Sequence, residues 1–337
     1  MKNILLPLVL ALSLIACKSQ KKDVTEVDPI RFSKSIKSSD LSEYLYIISS
    51  DEFEGRDTGS KGQKMAAEYL KNYYKSLNIE GGSNEENPYF QTIDSSYFKG
   101  RFPSSENVIS IIRGSEIPEE YLVITAHYDH VGVNEQGEIY NGADDDGSGT
   151  VAVMEIAEAF QRAVTEGYRP KRSVIFLHVT AEEKGLLGSK YYSEHPIYPL
   201  ENTVANLNID MIGRVDEAHE DNPNYVYLIG SDKLSTELHE ISEAANSTYI
   251  NLDLDYTYND DNDPNRFYYR SDHYNFAKFD IPIIFYFNGV HEDYHQPTDT
   301  PDKIDYDLLE KRAKLVFFTA WEIANRDERP FVDKPTL

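Results

Sequence analysis

Tyr121-Leu122-Val123-Ile124-Thr125-Ala126-His127-Tyr128-Asp129 is the stretch from which the fold is read. Tyr121 to Thr125 is a short apolar run of strand length, and it hands over to an imidazole and a carboxylate. Runs of the same style lie at Arg172 to Thr180, Val204 to Ile209, Tyr225 to Ile229 and Ile281 to Phe287. Between and around them the apolar spacing changes to that of helices. Met65, Ala66, Tyr69, Leu70, Tyr73 and Leu77 mark one over residues 61–77; others fall at 149–164, 234–246 and 306–325. Strands alternating with helices predict an α/β domain, three layers deep, with a largely parallel central sheet covered on both faces. Ligands in such sheets sit beyond the carboxyl ends of the strands.

The chain bounds fit that reading. Its 337 residues are 40% hydrophobic and 27% charged, enough for a large core, and no repeat of solenoid or propeller period occurs. Acidic residues number 58 against 33 basic ones, giving a formal net charge of -25. A surface of that sign repels phosphate backbones, so no nucleic acid partner is expected. One cysteine, Cys17, excludes an intramolecular disulfide and a cysteine-rich metal site.

Cys17 has its own context. Met1-Lys2-Asn3 is a short basic start, Ile4 to Ile15 is apolar, and Leu14-Ile15-Ala16-Cys17 closes the run. This resembles the lipobox of bacterial lipoproteins. The expectation is a signal peptide over 1–16, a lipidated Cys17 with a flexible tether over 17–35, and a single catalytic domain over 36–330. The protein would then be exported to the cell envelope and touch a membrane only through its N-terminal lipid. No later stretch approaches the ~20 apolar residues of a helical span.

The chemistry-bearing residues fall at the strand exits. His127 and Asp129 follow the first run, Asp144-Asp145-Asp146-Gly147-Ser148-Gly149 opens the next helix, and Glu182-Glu183 follows the Ser173 run. Asp210 ends the Val204 run, and His295 comes after the last one. A single His or Asp after a strand is usually a cap or a surface residue. Five exits in succession, each with imidazole or carboxylate and none with thiolate, point to a catalytic zinc site.

The stretches Thr125-Ala126-His127-Tyr128-Asp129, Gly142 to Gly149, Ala181 to Ser189, Asn208-Ile209-Asp210-Met211-Ile212-Gly213-Arg214, Ser271-Asp272-His273 and Tyr294 to Thr300 resemble the co-catalytic di-zinc aminopeptidases of secreted bacteria. Relatives of that family include glutamate carboxypeptidase and glutaminyl cyclase. The stretches stand in the family's order, and Gly55-Arg56-Asp57-Thr58-Gly59-Ser60 matches an upstream element. The resemblance implies a zinc-exopeptidase fold with a mixed sheet and two Zn2+ ions per chain. It makes His127 and Asp210 the terminal ligands of one ion, Glu183 and His295 those of the other, and Asp145 the bridge. It also implies a cis peptide at Asp145-Asp146. Glu182 becomes the general base that activates a metal-bridging hydroxide, and Asp129 the carboxylate that orients His127. Tyr268 is implied as a hydrogen-bond donor to the oxyanion, with packing as its alternative role.

The function expected is an aminopeptidase acting on a peptide or small amino-acyl substrate. Carboxypeptidase, dipeptidase and glutaminyl cyclase activities share the scaffold, and a non-catalytic binding protein is the alternative of another class. The full ligand set argues against the cyclase, and an intact Glu182 against the binder. Asp144, Asp146, Ser148, Gly149 and Glu155 also fit an EF-hand loop, but Gly132, Gly137 and Gly142 leave no room for the helix that must precede one. His130, His178, His195, His219, His239 and His291 are read as histidines outside the ligand set. The acidic run from Asp253 to Asp263 is read as a solvated insertion, and Asp272-His273 as support for the pocket wall. No Gly-x-Ser-x-Gly elbow or Walker phosphate loop is present.

Overall fold

A computed structural model describes residues 23–24 and 27–334; residues 1–17, with the lipobox, lie outside them. The described strands are β1 (Glu80–Gly81), β2 (Phe90–Ile93), β3 (Ser105–Ile112), β4 (Ile117–His127), β5 (Gly132–Val133), β6 (Ile139–Tyr140), β7 (Arg172–Val179), β8 (Thr203–Ile209), β9 (Tyr225–Ile229), β10 (Asp253–Asp255) and β11 (Ile283–Phe287). Nine of them form one sheet in the order β1-β3-β7-β4-β8-β11-β9-β10, with β2 also on β3, while β5 and β6 make a separate hairpin. The centre is parallel: β4 pairs β7 on one side and β8 on the other, and β8 pairs β11. Beyond it, β3 joins β7 and β9 joins β11 in antiparallel fashion. The sheet is therefore mixed, as the resemblance implied.

Alternation along β4 divides the core. Leu122, Ile124 and Ala126 face the layer built from α1 (Ile30–Ser33), α2 (Ser38–Ile48), α3 (Lys61–Ser76), α4 (Gly149–Thr165), α6 (Thr236–Ala245) and α8 (Tyr306–Asn325). Tyr121 and Val123 face Tyr192 of α5 (Leu187–Glu194) and Phe276 of α7 (His273–Ala277). Strands buried on both faces need continuous apolar sequence, which explains why β4, β7 and β8 were legible. β3 was not anticipated, because Ser105, Asn107 and Ser110 interrupt it. Those polar groups are buried and held in part by β7 and α5: Ser105 Oγ lies 2.7 Å from Thr180 Oγ1, and Asn107 Nδ2 donates to the Gly188 carbonyl at 3.0 Å.

Two expectations need correction. The packed body begins before Ile36: Val24 and Phe32 are buried in the main core, and Ile30–Ser33 is helical, so Val24 and residues 30–35 are not a free tether. Within the acidic insertion, Asp253–Asp255 is β10, the edge strand parallel to β9. Backbone pairing to β9 outweighs the acidic side chains, which point partly to solvent.

Glu155, in α4, is buried, with Oε2 accepting from the Lys37 amide at 3.3 Å and Oε1 without a hydrogen-bond partner. Burial, and then Glu158 and Asp40, push its carboxyl up to about 8. An acid with a raised folded pKa favours the fold fully below its unfolded pKa and ever less as pH rises toward 8. Glu155→Gln should therefore be more stable than the parent at pH 9, on the order of 3 kcal/mol, with the gap closing toward pH 4.5. Urea midpoints across that range check this, and a gap independent of pH contradicts it.

Candidate metal centre

Each strand exit is bent by a residue with positive φ or by a tight loop. Ala181 (φ +56°) precedes Glu182-Glu183, Met211 (φ +61°) follows Asp210, and His295 itself has φ +54°. Left-handed non-glycine residues are strained and cluster where function requires a side chain to be aimed. At the end of β4, His127 Nδ1 donates to the Asp129 carbonyl at 3.1 Å, with Asp129 Oδ1 at 3.7 Å. Backbone thus orients the ring more directly than the Asp129 carboxylate does. That carboxylate accepts from Thr58 Oγ1 and from the Glu182 amide, both at 3.1 Å, and so ties the upstream element to the β7 exit. Arg56, buried, donates to the carbonyls of Ile48, Tyr128, Asn141 and Gly142.

The three consecutive aspartates divide their labour. Asp144 Oδ1 accepts from the Gly213 amide at 2.7 Å, and its own amide donates to Asp299 at 3.0 Å. Asp146 accepts from the amides of His127, Gly149 and Met211 at 2.9–3.2 Å, closing the start of α4 onto two strand exits. Asp145 is left to point inward, and the Asp145-Asp146 bond is cis, as the resemblance implied. The EF-hand pattern has no counterpart here, since Asp144 and Asp146 face backbone amides and Glu155 faces Lys37.

Around Asp145 the structure brings together all five residues of the expected ligand set. His127 Nε2 is 3.1 Å from Asp145 Oδ1 and 3.6 Å from Asp210 Oδ1. On the other oxygen, Asp145 Oδ2 is 3.0 Å from His295 Nε2, which is also 3.2 Å from Glu183 Oε1. His127, Asp145 and Asp210 form one group of converging donors; His130, Asp145 and Glu183 form a second. His127 Nε2, Asp145 Oδ2 and Glu183 Oε1 are buried and without a hydrogen-bond partner. Orphaned buried donors and acceptors of this kind fit a cation that the protein must hold. Burial and the Asp145 charge push Glu183 up, but the adjacent His130 and His295 imidazoles override them and leave it down at about 2. Burial pulls His295 down, and Asp145 and Glu183 override that to about 10.

Glu182 stands beside these groups without joining either. Its Oε2 lies 4.0 Å from His127 Nε2, and burial holds its carboxyl well above the usual range. Asp210 accepts from Ser271 Oγ, which in turn accepts from Asn208 Nδ2 at 2.9 Å. Asp272 is buried and pushed up to about 7, chiefly by burial, and the His273 ring donates to the Tyr268 carbonyl at 2.8 Å.

A cleft opens onto Asp145, Glu182 and Asp210, walled by Met211, Phe267, Phe285, Phe287, Val290 and Tyr294, with Arg270 at its edge. Tyr268 is not among its walls. It lines a neighbouring hollow with Lys233, whose ammonium lies 5.2 Å from the ring centre. The tyrosine beside the ligands is Tyr294, stacked on His295 at 4.0 Å. Sequence reasoning gave no site role to Tyr294 or His130, although Tyr294 opens one of the quoted stretches and His130 adjoins another; many tyrosines and nine histidines gave no reason to prefer them.

The sequence signature of Peptidase family M28 matches residues 107–320, which contain every group of the centre. The chain belongs to peptidase family M28. Aminopeptidase YwaD of Bacillus subtilis is 28% identical over 236 residues, 67% of this M28 chain and 46% of that protein. A probable glutamate carboxypeptidase of Arabidopsis thaliana, LAMP1, is 37% identical over 106 residues, 31% of this chain and 14% of the plant protein. The M28 chain thus spans less than half the length of these two curated relatives. Among solved structures, the Legionella pneumophila aminopeptidase LapA superposes with a TM-score of 0.70 at 23% identity, covering 97% of this chain and 81% of LapA, which shows the fold.

Asp145 serves both donor groups, so Asp145→Asn should lower metal content at both positions at once. Elemental analysis checks this, and full retention of metal contradicts the shared role.

Proposed function

We propose that this chain is a zinc-dependent aminopeptidase that carries two Zn2+ ions and removes N-terminal residues from peptides. The observation that carries the reading is a pair of donor groups joined at Asp145, with Glu182 beside them. His127, Asp145 and Asp210 would hold one ion, and Asp145, Glu183 and His295 the other. Zinc at these positions would supply Lewis-acid polarisation of the scissile carbonyl and a water acidified toward neutral pH. Glu182 takes the proton of the attacking water and returns it to the departing amine. Its position supports that cycle: the carboxylate stands 4.0 Å from His127 Nε2 and lines the cleft with Asp145 and Asp210 without joining either donor group. Asp129 keeps the Glu182 backbone in place through its amide, and Met211, Phe267, Phe285 and Phe287 exclude water from one side of the cleft.

The acidic floor suits an α-ammonium group, and the apolar walls suit an uncharged side chain beside it. Arg270 favours a second reading. Its guanidinium packs 4.9 Å from the Phe267 ring centre at the edge of the cleft, where a substrate carboxylate would meet it. That would suit a carboxypeptidase or dipeptidase. A panel of free dipeptides, N-acetyl dipeptides and dipeptide amides separates the readings. Cleavage that needs the free amine and tolerates the C-terminal amide supports the aminopeptidase; cleavage that tolerates N-acetylation and needs the free carboxylate contradicts it. Glu182→Gln should keep its zinc and lose about 10²–10⁴-fold in kcat. Unchanged turnover would remove Glu182 as the base.

The chain is further proposed to be an exported lipoprotein anchored through Cys17, on the strength of residues 1–17 alone. Among the described residues no helix is long and apolar enough to cross a membrane. Cys17→Ser should move the protein from the membrane fraction to the soluble one, and unchanged fractionation would contradict the anchor.

A further inference from the structure

His130 is a buried histidine beside the centre that the mechanism leaves without a task. It is fully buried, and neither ring nitrogen has a hydrogen-bond partner. An imidazole has at least one N–H to satisfy, so a native structure rarely leaves both nitrogens idle. Its Nδ1 lies 3.0 Å from Glu183 Oε1 and 3.9 Å from Asp145 Oδ2. These are the same two oxygens that His295 Nε2 approaches at 3.2 and 3.0 Å. Donors at ~2.0–2.1 Å from a tetrahedral zinc lie roughly 3.3–3.4 Å apart, and these four separations bracket that edge.

We propose that His130 is a protein ligand at the metal position of Asp145 and Glu183, giving it four protein donors, of which His295 is the removable one. The proposal rests on the two-metal reading above. The two histidines are built differently. The His130 ring is seated by the fold: its amide donates to the Arg56 carbonyl at 3.2 Å, and a Cβ on Gly142 would come within 2.5 Å of its Cγ. Gly142, at φ +55°, leaves that space for the ring. His295 sits on a loop after β11, its side chain 36% exposed and its ring lying on Tyr294. The other position, of His127, Asp145 and Asp210, has three protein donors and an open side toward the cleft. Two unequal positions follow. Closed four-donor sites are the structural type and open three-donor sites the catalytic type. The Asp210 position is then where substrate meets metal, and the Glu183 position holds its ion firmly and opens only when His295 swings away.

The test is zinc stoichiometry and affinity on the full chain, by elemental analysis after dialysis and by chelator competition, for wild type, His295→Ala, His130→Asn and the double variant. Asn keeps a hydrogen-bond donor near Nδ1 but not the imidazole. The expectation is two zinc ions in wild type, two in each single variant with the ion that wild type holds more tightly weakened at least tenfold, and one in the double variant. A double variant that keeps two zinc ions as tightly as His295→Ala overturns the proposal, as does a His130→Asn variant whose two zinc affinities both equal those of wild type. Should the double variant fail to fold, the Co2+ absorption spectrum of His130→Asn loaded with both equivalents, against that of wild type, decides. An altered spectrum supports an imidazole ligand, and an unaltered one overturns it. Fewer than two zinc ions in wild type would defeat the two-metal reading itself.

Discussion

Crowding of negative charge at the carboxyl ends of β4, β7 and β8 is the constraint on which the rest of this structure depends. Asp129, Asp145, Glu182, Glu183 and Asp210 converge there, all largely withdrawn from water, with His127, His130 and His295 beside them. Carboxylates in such a site repel one another and lose their hydration. The fold answers by turning backbone amides and hydroxyls toward the aspartates that are not ligands, and by leaving His127 Nε2, Asp145 Oδ2 and Glu183 Oε1 without hydrogen-bond partners. What remains is a concentrated negative charge with matched lone pairs, and a divalent cation is the species that fits it.

The sheet topology makes that convergence possible. β4 lies at the centre, and the chain runs from it to β7 on one side and β8 on the other, so that a crevice opens between strand ends. The strand exits are sharp because Ala181, Met211 and His295 take up left-handed backbone at the points where a ligand must be turned inward. Asp146 and Arg56 then lock the exits to each other through backbone groups. The centre is therefore built by rigid elements and a few strained residues, which suits ligands whose spacing must be held to fractions of an ångström.

Much of this was legible in the chain because the physics is local. Continuous apolar runs mark buried parallel strands, and β9 and α8 fall where the spacing put them, while α3 and α4 end within a residue of it. His127, Glu183 and Asp210 meet because each ends or closely follows a strand of the parallel centre, so that strand order carries them to one end of the sheet, where the entrance of α4 adds Asp145 and the loop after β11 adds His295. What stayed hidden was decided by partners distant in sequence. β3 alternates with polar residues whose satisfaction comes from β7 and α5. Val24 and Phe32 belong to the core for reasons that no periodicity displays. Tyr268 and Tyr294 are equivalent as letters, and only packing against Lys233 or against His295 tells them apart. His130 lies three residues from His127, yet its ring turns toward Glu183 because Gly142 gives it room.

The account stands on one carboxylate shared between two cations. Anomalous scattering from crystals of the zinc-loaded protein, recorded above and below the zinc edge, tests it most directly. Two peaks about 3.5–4 Å apart on either side of the Asp145 carboxylate, one beside His127 and Asp210 and one beside Glu183, are predicted. A single peak, or peaks that do not contact Asp145, would contradict the account.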